Sequence, residues 1–141
     1  MVRSRTLSVL AIGIVLVLAA VVEAADFCVS INSGASGAHI LVGKAFRVPS
    51  KGSCRTFNGI IQNAFGGLFS GNACTASNGG YVEFNLMGSA GGIQALNFYL
   101  PLPSLTGGTG LGIYAVGGIG TTDDPFTADK VACSPPVVPV L

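Results

Sequence analysis

Residues 25–134 predict an all-β domain. The expected form is a single antiparallel β-sandwich or β-barrel of about seven or eight short strands, held by two disulfides and preceded by a cleaved signal peptide. Three observations predict it. Glycine supplies 21 of the 141 residues and recurs every few positions, and each interior glycine costs a helix about 1 kcal/mol relative to alanine. Short runs rich in Val, Ile, Phe, Tyr and Leu lie between Gly, Ser, Asn and Pro, the punctuation of strands and turns. The central runs alternate with period two, as strands with one buried face do.

The expected strands are Phe27–Asn32, His39–Val48, Cys54–Gln62, Gly71–Ala76, Tyr81–Met87, Gln94–Leu100, Gly112–Val116 and Phe126–Cys133. In the fifth, Val82, Phe84 and Leu86 share one face, and Tyr81, Glu83 and Asn85 share the other. In the sixth, Leu96, Phe98 and Leu100 oppose Ala95, Asn97 and Tyr99. Ser77-Asn78-Gly79-Gly80 suits a tight hairpin, since Asn and Gly tolerate positive φ. Pro49-Ser50-Lys51-Gly52 reads as a second compact turn, and residues 88–92 as a longer link. A short helical turn is expected near Asn63–Leu68. Leu100-Pro101-Leu102-Pro103 reads as an edge or an extended crossover, because each proline removes a ladder donor. So many short strands in one domain suggest a sandwich or a barrel.

Ahead of this domain, Arg3 and Arg5 precede an uncharged run, Leu7–Val22, and then Val22-Glu23-Ala24. A basic start, an apolar centre and small residues at the cut have the order of a secretory signal, with cleavage after Ala24. The 16 residues of the run fall short of the roughly 20 that span a bilayer core. Ala25-Asp26-Phe27 before Cys28 does not resemble a lipid-acceptor context, and Arg3 and Arg5 are not the adjacent pair of a twin-arginine signal. The expected organisation is a signal peptide over 1–24, a disulfide-bonded β-domain over 25–134 and a Pro-rich tail over 135–141. No permanent membrane anchor remains after cleavage, and the product is expected to be secreted, either extracellular or periplasmic.

Beyond Ala24 the charges balance. Asp26, Glu83, Asp123, Asp124 and Asp129 match Lys44, Arg47, Lys51, Arg55 and Lys130 one for one. A nucleic-acid partner is not expected, because neutralising phosphates takes a basic excess. Low net charge leaves self-association unopposed. The cations Lys44, Arg47, Lys51 and Arg55 cluster in one stretch. They read either as a solvated strand edge and turn or as a small anionic-ligand patch.

All four cysteines, Cys28, Cys54, Cys74 and Cys133, follow the leader. An even count in a short exported chain reads as two disulfides, and the close C-x-x-C pairs of a zinc site are absent. Four cysteines allow three pairings, which sequence does not choose between. Placement favours Cys54–Cys74, joining nearby segments, with Cys28–Cys133, joining the first strand to the last.

No catalytic, cofactor or metal site is assigned. His39 is the single histidine, so a multi-histidine metal site is excluded; it reads as a strand-end histidine bonded to backbone. No G-x-S-x-G marks a nucleophile, although a Ser-His-Asp arrangement assembles in space rather than in sequence. Asp123-Asp124-Pro125 reads as a turn whose acids bond local backbone. The run Thr106–Gly112 lacks the Gly-Lys-Ser/Thr of a phosphate cradle and reads as a flexible loop. Its Gly107-Gly108-Thr109-Gly110 string resembles one in plant dirigent proteins, exported β-barrels that steer radical coupling. The likeness is confined to that string, the cysteine placement differs, and no residue role is carried over.

The candidate surface is Tyr81, Glu83 and Tyr99, which share an outward face, together with Lys44 and Arg47. Two classes of function follow. The first is a secreted non-catalytic domain that binds a protein, a glycan or a small apolar ligand, or builds an assembly at or outside the cell envelope. The second is a small β-barrel enzyme or apolar-ligand carrier with minimal machinery. A filled core beside a flat face carrying Tyr81, Tyr99 and Glu83 would favour the first. A deep pocket lined by His39, Glu83 or Asp129 would favour the second.

Overall fold

Each alternating run becomes a strand, and the strands pair in chain order. The computed structural model describes residues 24–34, 37–62, 66–90, 92–115 and 121–134. The strands are β1 (Ala25–Ser33), β2 (Gly37–Phe46), β3 (Cys54–Gln62), β4 (Gly67–Thr75), β5 (Tyr81–Ala90), β6 (Ile93–Pro101), β7 (Gly108–Ala115) and β8 (Thr121–Val131). Every neighbouring pair is antiparallel, and β8 returns to pair with β1, which closes the sheet into a barrel. Closure decides for the barrel over the sandwich. The expected leader and Pro-rich tail lie outside the described residues, apart from Ala24.

Four local expectations are corrected. Gly67 and Leu68, placed in a helical turn, open β4; residues 63–65 lie outside the described chain. The glycine run read as a flexible loop supplies most of β7, from Gly108 onward. Asp123-Asp124-Pro125, read as a turn, lies within β8, where Asp124 pairs with Gly112 and Pro125 with Leu111. Pro101 is neither an edge nor a crossover: it ends β6 opposite Tyr81, the last position of a ladder that tolerates a missing donor there. The two predicted turns are present. Ser53 N donates to Ser50 O at 3.0 Å, and Gly79, with φ of 74°, donates to Ala76 O at 2.9 Å.

The glycines of the strands make room for phenylalanine. An eight-stranded barrel is just wide enough for side chains to fill its interior, and small barrels alternate small and large inward residues. Phe27, Phe46, Phe57, Phe84, Phe98 and Phe126 form a continuous chain of rings, with Phe84 and Phe98 stacked at 4.7 Å and Phe57 edge-on to Phe84 at 5.3 Å. A Cβ on Gly59 would lie 2.6 Å from Phe57 Cε1 and 2.9 Å from Leu41 Cδ1, and one on Gly110 would collide with Phe98. Val29, Leu41, Phe69, Val82, Leu86, Leu96 and Leu100 complete the filling. The barrel centre is therefore a packed core.

The two ends differ. At one, the connections over 47–53, 76–80 and 102–107 are tied down: Thr75 Oγ1 donates to Pro49 O at 2.7 Å, Lys130 N to Leu105 O at 2.8 Å, and Gly107 N to Asp129 Oδ1 at 2.6 Å. Leu105, Phe46 and Val48 pack against the core there. The other end carries inward-facing polar residues.

Candidate functional site

Both disulfides form as placement favoured. Cys28 of β1 bonds Cys133, just beyond β8, across 105 residues of chain; Cys54 of β3 bonds its register partner Cys74 of β4 across 20. The first joins the two strands whose pairing closes the barrel. Two disulfides in a chain of this size are typical of secreted or extracellular proteins.

The outer face of β5 and β6 brings three predicted residues together. Inward Val82, Phe84, Phe98 and Leu100 are fully buried, and the pleat sends Tyr81, Glu83, Asn85, Asn97 and Tyr99 outward. Glu83 pairs with Tyr99 and Asn85 with Asn97. Tyr81 and Tyr99 meet edge to face at 6.0 Å, each 42% exposed. Asn97 Nδ2 donates to Glu83 Oε1 at 3.2 Å and also to Asn85 Oδ1. A depression of about 400 Å³ is lined by Tyr81, Glu83, Asn97, Phe98 and Tyr99. A second, of about 650 Å³, shares Asn97 and Tyr99 and continues over Thr109, Leu111, Pro125, Thr127 and Asn32. Among the described residues Glu83 is the one carboxylate lining either depression. The face thus offers two ring edges, one carboxylate and a line of amides and hydroxyls, all held by a rigid wall.

The polar character extends over β3 to β6, while Ile60, Leu68, Met87 and Leu111 are exposed apolar residues of the outer surface. Thr56, Asn72, Asn85 and Asn97 lie in one register row across β3, β4, β5 and β6, and all four are exposed.

Lys44 and Arg47 lie elsewhere, at the tied-down end of β2. They line a cleft of about 390 Å³ with Arg55, Thr56 and Asn58. Lys51, grouped with them in sequence, is apart: its aliphatic stem lies along the β4–β5 turn at Gly79. Asp26 faces Lys44 at 3.5 Å, and both are well exposed.

The polar end of the barrel holds a group that sequence reasoning missed. Asp124, almost wholly buried, accepts hydrogen bonds at Oδ2 from the hydroxyls of Ser33 and Tyr114, the latter at 3.2 Å. Ser33 and Asp124 are 91 residues apart, so no local motif announces them. The one available signal was parity: Asp124 is two residues before Phe126 and shares its face. His39 pairs with Ile31, which is buried in the core, and so faces inward near this end. Glu83 and Asp129 do not join it. Among the described residues no group of three or more His, Cys, Asp or Glu is placed to hold a metal ion.

The sequence matches no family model, and no curated protein or solved structure matches it significantly.

Proposed function

We propose that this chain is an exported, non-catalytic binding domain whose β5–β6 face holds a glycan. The observation that carries the reading is the Tyr81–Tyr99 pair beside the hydrogen-bonded Glu83–Asn97–Asn85 row. A pyranose ring has an apolar C–H face and a rim of hydroxyls. Aromatic rings with one wet edge suit the first, and a carboxylate with amides supplies acceptors and donors for the second. Export is supported by the leader pattern and by the two disulfides.

Two features favour binding over the alternatives. The phenylalanine-filled interior leaves the centre of the barrel no room for an apolar ligand. Glycoside hydrolysis by the usual route takes two carboxyl groups across a cleft, and among the described residues lining this depression Glu83 is the one carboxylate. Co-sedimentation with insoluble cellulose, chitin, β-1,3-glucan and mannan tests the proposal. Retention on at least one, lost in the Tyr81→Ala/Tyr99→Ala variant, is the expected result. Equal retention of the variant, or none of the native protein on any polymer, contradicts it.

A further inference from the structure

The wall of the barrel is not uniformly zipped. β3 pairs with β4 over eight residues but with β2 over only four, Ile40–Gly43 against Gln62–Gly59. Below Gly43 and Gly59 the two strands part. In the core where they part, Phe46 and Phe57 meet edge to face at 5.1 Å. Ala45 sits at φ of 47°, a sparsely used region for a residue with a Cβ, beside a register shift in the β1–β2 ladder. Asp26 Oδ1 fixes this kink by accepting from Ala45 N at 3.2 Å.

The opening is basic. Lys44, Arg47 and Arg55 line it with Thr56 and Asn58, and no carboxylate stands among its described lining residues. Asp26 offsets Lys44 through an exposed contact of the kind that contributes little, and its other oxygen is held by Ala45 N. Three cationic side chains therefore line one concave site, with a positive excess among its described lining residues. Guanidinium forks match the oxygen pairs of carboxylate, sulfate and phosphate.

We infer that the β2–β3 seam is an oxyanion site, in which Arg47 and Arg55 grip the anion and Lys44, Thr56 and Asn58 complete its shell. This stands independently of the glycan face. Two sources supply such a group. One is a free inorganic anion. The other is an acid group on a saccharide, because Thr56 begins the register row that reaches Asn97 three strands away, about 14 Å at the usual interstrand spacing.

The test is a backbone-amide NMR titration of the exported protein with sodium sulfate, inorganic phosphate and glucuronate, at constant ionic strength held by chloride. Saturable shifts confined to residues 44–47 and 55–58 are expected with at least one of the three. Tighter binding of glucuronate assigns the saccharide source, and tighter binding of sulfate or phosphate the inorganic one. Arg47→Gln/Arg55→Gln should weaken binding by about tenfold or more, as loss of charged forks does. Arg47→Lys, keeping the charge but losing the fork, should fall between, and Lys51→Gln should match the native protein. Shifts that never saturate, an adventitious ion only, would overturn the site, as would binding unchanged in the double variant with its spectrum otherwise intact.

Discussion

Phe57 and Gly59 divide one space inside the barrel: the ring edge of Phe57 occupies the volume a Gly59 side chain would need. Gly59→Ala should therefore cost about 1–3 kcal/mol, the usual penalty for overpacking a filled core. Gly34→Ala, where nothing lies within 4 Å of the added carbon, should leave stability nearly unchanged. Urea denaturation of the two variants beside the native protein checks the contrast.

The disulfides should contribute unequally. Chain-entropy arguments give about 3 kcal/mol for a loop near the 20 residues of Cys54–Cys74 and about 4.7 kcal/mol for one near the 105 of Cys28–Cys133. Cys28→Ala/Cys133→Ala should lower the denaturation midpoint more than Cys54→Ala/Cys74→Ala. The reverse order would mean that barrel closure does not depend on the longer link.

Asp124 is the shared acceptor of Ser33 and Tyr114. Asp124→Ala should destabilise the fold by about 1.5–3 kcal/mol, the range for hydrogen bonds to a charged group. Ser33→Ala should cost less, because Tyr114 still holds the carboxylate. Thermal melts of both variants test the ranking.

Cleavage after Ala24 should leave Ala25 as the first residue, which intact-mass measurement of the exported protein reads directly. Ala25 pairs with Phe46, so the new amino group would lie at the rim of the basic seam and add to its positive charge.

The strands were legible because alternation is a local signal. Tyr81–Leu86 and Gln94–Leu100 show it plainly, and Cys54–Gln62 matches its strand end to end. The strand expected from Gly112 covers only the second half of β7, and its first half was hidden because Gly108 and Gly110 read as loop residues. A Cβ on Gly108 or Gly110 would strike neighbouring strands and core side chains, which no local rule foresees. Barrel closure depends on β1 meeting β8, a non-local pairing at which the favoured Cys28–Cys133 link hinted. The tyrosine face followed from parity alone. The basic cluster was legible as a group of cations, but not its membership: Lys51 leaves it because its stem lies along the β4–β5 turn at Gly79.

The central claim is that the tyrosine pair binds a glycan, and calorimetric titration with a soluble oligosaccharide of the retained polymer tests it most directly. Tyr81→Ala and Tyr99→Ala should each weaken binding by about tenfold, on the scale of a lost aromatic contact. Glu83→Gln should weaken it by less, with thermal stability held throughout. Native affinity in the Tyr81→Ala/Tyr99→Ala variant would contradict the account.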